Sequence, residues 1–216
     1  MKLIVLGASG GCGQWVVKLA HERGHDITAV VRPSSSYVAP EGVSVFREDI
    51  QEEGPLKRLL GGKDIVISCL GMSLSKSGSP FQPLQSPPDL MSSVAKLLCS
   101  VMPVCGLTRV ISISSGGVGD SAVHTNLLLR CLFNRSNIAI SHRDLARMEE
   151  LYAESDLDWL AIRPVTLKEG PPTNTAKAVS FYRLMARITK GEVARLLVDA
   201  AEKTEPFSDH TPMYAG

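Results

Sequence analysis

Seven residues near the beginning of the sequence have the spacing of a phosphate-binding turn. Glycines stand at positions 7, 10 and 13, between the apolar run Leu3–Leu6 and an amphipathic stretch. The first glycine of such a turn permits a sharp bend, the second lets the backbone approach a pyrophosphate, and the third lets a helix begin close to the sheet. The free N–H groups of that helix attract phosphate, although a plain turn without a ligand remains the alternative. The contacts we expect are Gly7, Ser9, Gly10, Gly11, Cys12 and Gly13.

Arg32 is a second candidate contact, because it follows the apolar run Asp26–Val31. Sites for NAD usually have an acidic residue at the end of this second strand, where it binds the ribose 2′-hydroxyl, whereas a guanidinium suits a 2′-phosphate. We therefore expect NADP(H), the alternative being an exposed arginine in a polar loop. Asp49, after the third predicted strand, either faces the adenine or caps the next helix, and we weigh the two equally.

Small and hydroxyl-bearing residues follow two later strands. Cys69, Leu70 and Gly71 come after the run Lys63–Ser68, at the edge where the ribose and nicotinamide of a cofactor would lie. Ser114 and Ser115 end another strand at the same edge, where a hydroxyl can bond a carbonyl oxygen or hydroxyl of a substrate; alternatively, they satisfy backbone groups there. Residues 72–88 either cover a substrate or form a disordered insertion.

Two histidines and one cysteine have both a chemical and a plain interpretation. His124 and His142 are candidate proton donors, but a solvated or capping role is more common and we favour it. Cys12 lies where a helix N-terminus can lower a thiol pKa, but we favour a small residue that fills the turn.

Alternating apolar runs and helical periodicity predict the elements that position these residues. We expect six strands, ending with Thr108–Ser115 and Asp158–Pro164, a short final strand in Thr211–Gly216, and a helix within 176–188. The apolar patch Leu127–Phe133 predicts a helix that lines a pocket or an oligomer face, with core packing as the default. The pattern predicts an α/β fold, a three-layer Rossmann-type doubly wound parallel sheet forming one NAD(P)-binding domain over residues 1–216.

Composition excludes several classes of function. The sequence has 23 basic and 22 acidic residues, a net charge of +1, so we expect no nucleic-acid partner. No apolar run approaches about 18 residues, so we expect no membrane partner. Five cysteines without a C-x-x-C pair argue against a disulfide framework or a metal site and for the cytoplasm. We expect a small-molecule substrate and a monomer or homodimer.

The sequence resembles the atypical short-chain dehydrogenase/reductase superfamily, in its single-domain NAD(P)H-binding group, and is similar there to flavin reductase (biliverdin-IXβ reductase). The resemblance covers nearly the whole length and rests on Gly7–Gly13, Val31-Arg32, Ser68–Gly71, Val110–Ser115 and Ser155–Pro164. It implies that Ser115 is the active-site serine, that Ser114 lies beside the cofactor, and that Ser68–Gly71 pass the nicotinamide ribose. It also implies that Arg32 binds the 2′-phosphate.

One departure from the superfamily pattern bears on the chemistry. The positions of the usual Tyr-x-x-x-Lys pair fall near Ser141 and Leu145, and Tyr152 has Asp156 four residues later. A ketone would lack its proton donor, whereas a flavin, quinone or similar conjugated acceptor can take a proton from water. We therefore expect NADPH-dependent hydride transfer to a small conjugated acceptor. The alternatives are a non-catalytic NADPH-binding sensor or regulatory protein and, ranked last, a relative of sugar-nucleotide epimerases.

Overall fold

The strands of the protein follow the apolar runs of its sequence. In the computed structural model, which describes residues 1–73 and 81–216, these residues contain ten strands. They are β1 (Lys2–Leu6), β2 (Asp26–Val31), β3 (Ser44–Arg47), β4 (Ile65–Ser68), β5 (Arg109–Ile113), β6 (Asp158–Pro164), β7 (Thr166–Lys168), β8 (Lys177–Ala178), β9 (Arg187–Thr189) and β10 (Met213–Ala215).

Eight of these strands form one sheet in the order β3-β2-β1-β4-β5-β6-β10-β8. Its strand pairs are parallel except that β8 runs antiparallel to β10 at the edge. β7 and β9 form a separate parallel pair. The strand order reverses between β1 and β4, which is where doubly wound sheets open a crevice for a ligand.

Helices cover both faces of the sheet. They are α1 (Gly11–Glu22), α2 (Glu53–Leu60), α3 (Leu90–Val104), α4 (Leu127–Asn134), α5 (Ile138–Ala153) and α6 (Lys190–Ala201). Leu3 and Val5 of β1 pack toward α1 and α6, while Ile4 and Leu6 pack toward α2, α3 and α5. Because successive side chains of a strand point to opposite faces, each buried strand contributes to both core layers. The predicted three-layer, doubly wound α/β fold is confirmed.

Of the sequence expectations about the later part of the chain, one is wrong and one holds only in part. Residues 176–188 form no helix, but β8, a bent segment and β9, because β8 pairs with β10, and β9 with β7. The default of core packing holds for only part of α4, since Leu129 is buried and Phe133 packs against the core, whereas Leu127 and Leu128 are 62% and 67% exposed. Of the loop 72–88, residues 74–80 lie outside the described residues.

None of the helices in the described parts of the chain combines the length and the apolar character needed to cross a membrane.

Candidate cofactor and substrate site

A cleft of about 650 Å³ opens at the carboxyl edge of the sheet, beside the reversal of strand order. Its wall brings together ten of the predicted site residues. They are Gly7, Ser9, Gly10, Gly11, Cys12, Arg32, Asp49, Cys69, Leu70 and Gly71. Segments from four strand ends and the start of α1 therefore meet in one place, as expected for the carboxyl ends of neighbouring parallel strands.

The glycine turn is shaped by the close approach of backbone atoms. Gly7 has φ +76°, and a Cβ there would lie 2.9 Å from the carbonyl oxygen of Cys69. A Cβ on Gly13 would lie 2.3 Å from the Gly7 oxygen. Gly13 thus packs behind the turn and does not line the cleft, and its lack of a side chain lets α1 begin against the sheet. No side chain caps α1 at Gly10, so its first N–H groups are available to an anion.

Two thiols line the floor of the cleft and stay uncharged. Burial raises the pKa of Cys12 to about 11, against the smaller opposing effect of nearby Lys190. Burial, with Cys12 nearby, also raises the pKa of Cys69 well above its ordinary value. Neither thiol therefore places a negative charge beside a phosphate, which agrees with the plain interpretation of Cys12 as a residue that fills the turn.

The cleft also contains a cation that the sequence analysis did not identify. Lys190, the first residue of α6, lies over the turn, since a Cβ on Gly11 would meet its Cδ at 2.6 Å. Its ammonium group pairs with Glu169. A lysine beside the free amides of α1 adds to the attraction for phosphate. The sequence feature that could have indicated this role is the position of Lys190, a basic residue that begins a helix directly after its N-cap, Thr189.

Arg32 lies at the end of β2, on the wall of the cleft. Its side chain is exposed, and its guanidinium forms no ion pair within residues 1–73 and 81–216. Asp49 lies on the same wall and accepts a hydrogen bond from the Gln51 N–H at 3.0 Å. It does not cap α2, whose first residue is Glu53. The capping alternative for Asp49 is therefore wrong.

The described residues at the two ends of the 72–88 loop are hydrogen-bonded to each other at the cleft. The Ser73 N–H donates to the Ser86 Oγ at 3.1 Å, and the Gln85 N–H donates to the Ser73 carbonyl at 2.8 Å. Met72 and Pro87 line the same cleft. These described ends of the 72–88 loop thus lie at the cleft, as the covering alternative requires.

The two serines after β5 point to different surroundings. Ser114 is buried and donates to Glu149 Oε1 at 2.6 Å, so its hydroxyl faces α5, and it does not line the cleft. Ser115 is half-buried, with its Oγ 3.4 Å from His142 Nε2 and 3.2 Å from the Gly116 oxygen, and neither Ser115 nor His142 lines the cleft. Burial lowers the pKa of His142 to about 4. His142 is therefore neutral near pH 7, whereas His124 is exposed.

A buried cluster of charged side chains lies beneath the segment that carries Ser114 and Ser115. Arg163 donates to both carboxylate oxygens of Glu149, at 3.0 and 2.6 Å, and to Asp120 at 2.6 Å. Because Ser114 binds the same carboxylate, the cluster ties together β5, β6 and α5. These are the elements that carry Ser115 and His142, so the cluster holds the Ser–His pair in place.

The structure supplies no tyrosine acid to the cleft within the described residues. Leu145, at the family lysine position, is buried in the core. Tyr152 is also buried, with its hydroxyl 3.2 Å from Ser112 Oγ, and burial raises its pKa. The cleft thus has the features needed to bind a dinucleotide, but its described lining includes no tyrosine that could donate a proton.

Comparison with known proteins agrees with this geometry. The sequence profile of a family described as NAD(P)H-binding matches residues 7–204. The chain belongs to this NAD(P)H-binding family. The match begins at Gly7 and ends beyond α6, so it includes the glycine turn, both serines and Lys190.

Individual relatives of the NAD(P)H-binding family are distant in sequence. Uncharacterized protein YwnB of Bacillus subtilis is 25% identical over 173 residues, which are 76% of this chain and 71% of that protein. Among solved structures, ChuY of Escherichia coli O157:H7, called an anaerobillin reductase, has a TM-score of 0.78 at 20% identity, covering 100% of this chain and 97% of ChuY. A wide-type short-chain dehydrogenase/reductase of Veillonella parvula, in complex with NADP, has a TM-score of 0.77 at 17% identity, with 100% and 94% covered. These matches confirm the predicted superfamily resemblance at the level of the fold.

Proposed function

We propose that the chain is an NADPH-dependent oxidoreductase that transfers hydride to a small, flat, conjugated acceptor such as a flavin or quinone. The observation that carries this proposal is a cleft that has the dinucleotide-binding features of the family but, among its described lining residues, no tyrosine that could act as the proton donor. The names of two structural neighbours, an anaerobillin reductase and a dehydrogenase/reductase in complex with NADP, support a reductase.

The residues on the wall fit a dinucleotide phosphate. The uncapped start of α1 and Lys190 would hold the pyrophosphate, and Arg32, free of any described ion pair, would hold the 2′-phosphate. NADPH supplies a hydride when it is bound. Leu70, Ile113 and Leu167 provide apolar surface along the cleft, which excludes water and favours a flat ligand.

Ser115, two residues beyond the cleft-lining Ile113, would orient the part of the acceptor that extends past this wall. Since His142 is neutral, its Nε2 can accept the Ser115 proton or donate to the Ser115 oxygen, and so can fix the direction of the hydroxyl. Neither group is a strong acid, so the proton that accompanies the hydride comes from water. A conjugated acceptor tolerates this, because it spreads the negative charge that arrives with the hydride.

Cofactor preference is tested with Arg32→Gln. Loss of a charged hydrogen bond to the 2′-phosphate should weaken NADPH binding by about 10- to 100-fold, while NADH binding stays unchanged. Arg147→Gln, an exposed position on α5, serves as the control. Titration calorimetry measures both cofactors, and equal losses for NADPH and NADH would contradict the role given to Arg32.

Acceptor choice is tested by following NADPH oxidation with a flavin, a quinone and a simple ketone. We expect turnover of the conjugated acceptors, and we expect Ser115→Ala to lower kcat by about 10-fold or more while the NADPH Kd is kept. Ser100→Ala, an exposed position on α3, is the matched control. Turnover of the ketone alone would refute the proposal. Tight NADPH binding without oxidation of any acceptor would instead favour a non-catalytic sensor.

A further inference from the structure

Three exposed leucines form an apolar surface on α4. Leu127, Leu128 and Leu132 are 62%, 67% and 41% exposed, while Leu129 is buried. Leu128 and Leu132 are four residues apart and therefore lie on the same side of the helix, while Leu127 lies about 100° from Leu128 around the helix axis. Large aliphatic side chains grouped in this way on a surface commonly mark a contact site.

The segment 181–185 extends this surface. The Tyr182 N–H donates to the His124 oxygen at 2.8 Å, and the Tyr182 oxygen accepts from the Asn126 N–H at 2.9 Å, so the segment lies beside the start of α4. Its side chains Phe181, Leu184 and Met185 are 45%, 44% and 73% exposed. We call residues 123–135 and 181–185 together the α4 face.

The α4 face is basic, although the whole chain is nearly neutral. The sequence has no acidic residue between Asp120 and Asp144, or between Glu169 and Glu192. Three cations lie on the face, and none of them forms an ion pair with another described residue. They are Arg130, Arg135 and Arg183.

We propose that the α4 face attaches the protein to the surface of an anionic phospholipid bilayer. The aliphatic side chains would enter the boundary between headgroups and acyl chains, and the flanking arginines would bind the phosphates. The sequence expectation of no membrane partner rested on the absence of a spanning run, and it does not bear on a surface contact. The proposal is independent of the proposed reductase activity.

The charge of the face favours a lipid surface over a second copy of the chain. In a two-fold symmetric dimer the same patch of each subunit meets the other, so the arginines of both copies would be brought together without acidic partners. An anionic bilayer supplies negative headgroups for the arginines of the face and an apolar layer for its exposed aliphatic side chains.

The test is co-sedimentation of the full chain, without cofactor, with vesicles of two compositions. One is phosphatidylcholine alone, and the other contains phosphatidylglycerol as about a third of its lipid. We expect binding to the anionic vesicles and little to the neutral ones, with the binding weakened by salt because exposed charges are screened.

Two sets of variants separate the apolar and the charged contributions. Leu128→Ser with Leu132→Ser should lower the partition coefficient about ten-fold or more, and Arg183→Gln should lower it about five-fold for anionic vesicles alone. The controls are Val104→Ser, which is 69% exposed on α3, and Lys18→Gln on α1. Circular dichroism verifies that each variant is folded.

Several results would overturn the proposal. One is a wild-type protein that binds neither vesicle, or binds both equally. Another is a set of α4-face variants that bind like the controls. Light scattering gives the mass in solution, and a dimer that Leu128→Ser converts to a monomer would show that a second copy covers the face.

Discussion

Removing the charge of Glu149 should destabilise the protein strongly. The side chains of Glu149 and Arg163 are only 8% and 5% exposed, and the carboxylate accepts three hydrogen bonds, two from Arg163 and one from Ser114. In Glu149→Gln, the buried guanidinium keeps Asp120, whose side chain is 81% exposed, as its only charged partner among those of the wild type. Breaking a buried pair on one side costs about 3–5 kcal/mol, so we expect a loss of that size in the free energy of unfolding.

Urea unfolding followed by circular dichroism measures this loss. For a chain of this length, it corresponds to a fall in Tm of roughly 10 °C. The matched control is Glu150→Gln, the next residue of α5, because Glu150 is 62% exposed and pairs with Arg147 at the surface. That surface pair should contribute about 0.5 kcal/mol or less.

The outcome that would refute this reasoning is a Glu149→Gln protein within about 1 kcal/mol of Glu150→Gln. It would mean that Arg163 finds other partners or reaches water when its carboxylate is removed. A double variant, Glu149→Leu with Arg163→Met, adds a second criterion. It should recover part of the stability, because no charge is then left buried alone.

Two further predictions follow from the turn and from α6. Gly13→Ala should destabilise the protein and abolish measurable NADPH binding, since its Cβ would lie 2.3 Å from a backbone oxygen. The control is Gly54→Ala, whose Cβ meets nothing within 4 Å. Urea unfolding and titration calorimetry compare the two variants, and equal behaviour would contradict the packing role of Gly13. Burial alone would raise the pKa of Glu192, but its carboxylate accepts three backbone N–H groups and pairs with Arg195. Together these partners lower the pKa of Glu192 from 4.5 to about 2. The stability it contributes is present above pH 4.5 and is lost as the pH falls toward 2. The stability gap between wild type and Glu192→Gln should therefore shrink over that range in urea titrations, and a gap that stays constant from pH 7 to 3 would contradict this.

The first half of the fold could be predicted because its strands are local patterns. β1 and β2 are mainly apolar runs, and the glycines after β1 stand where the backbone must turn or approach another segment. Such features depend on neighbouring residues, so the sequence carries them directly. The segment 176–188 could not be predicted, because β8 and β9 each have two or three residues and exist only through partners distant in sequence.

The site was predictable to the extent that it lies on strand ends. The wall from Gly7 to Gly71 follows from the order of parallel strands. Lys190 could not be placed, because only the packing of α6 against α1 brings it over Gly11, more than 170 residues earlier in the chain. The orientation of Ser114 could not be predicted for a related reason. Its hydroxyl donates a hydrogen bond to Glu149, which lies on α5, so the direction of the side chain depends on a distant part of the sequence.

The position of Lys190 has a consequence for biosynthesis. The helix that places a cation over the glycine turn comes more than 170 residues after the turn in the chain, so a nascent chain exposes the turn before Lys190 exists. The nucleotide pocket is therefore incomplete until α6 has been synthesised and has packed against α1. Full affinity for the dinucleotide would be gained only at that step of folding.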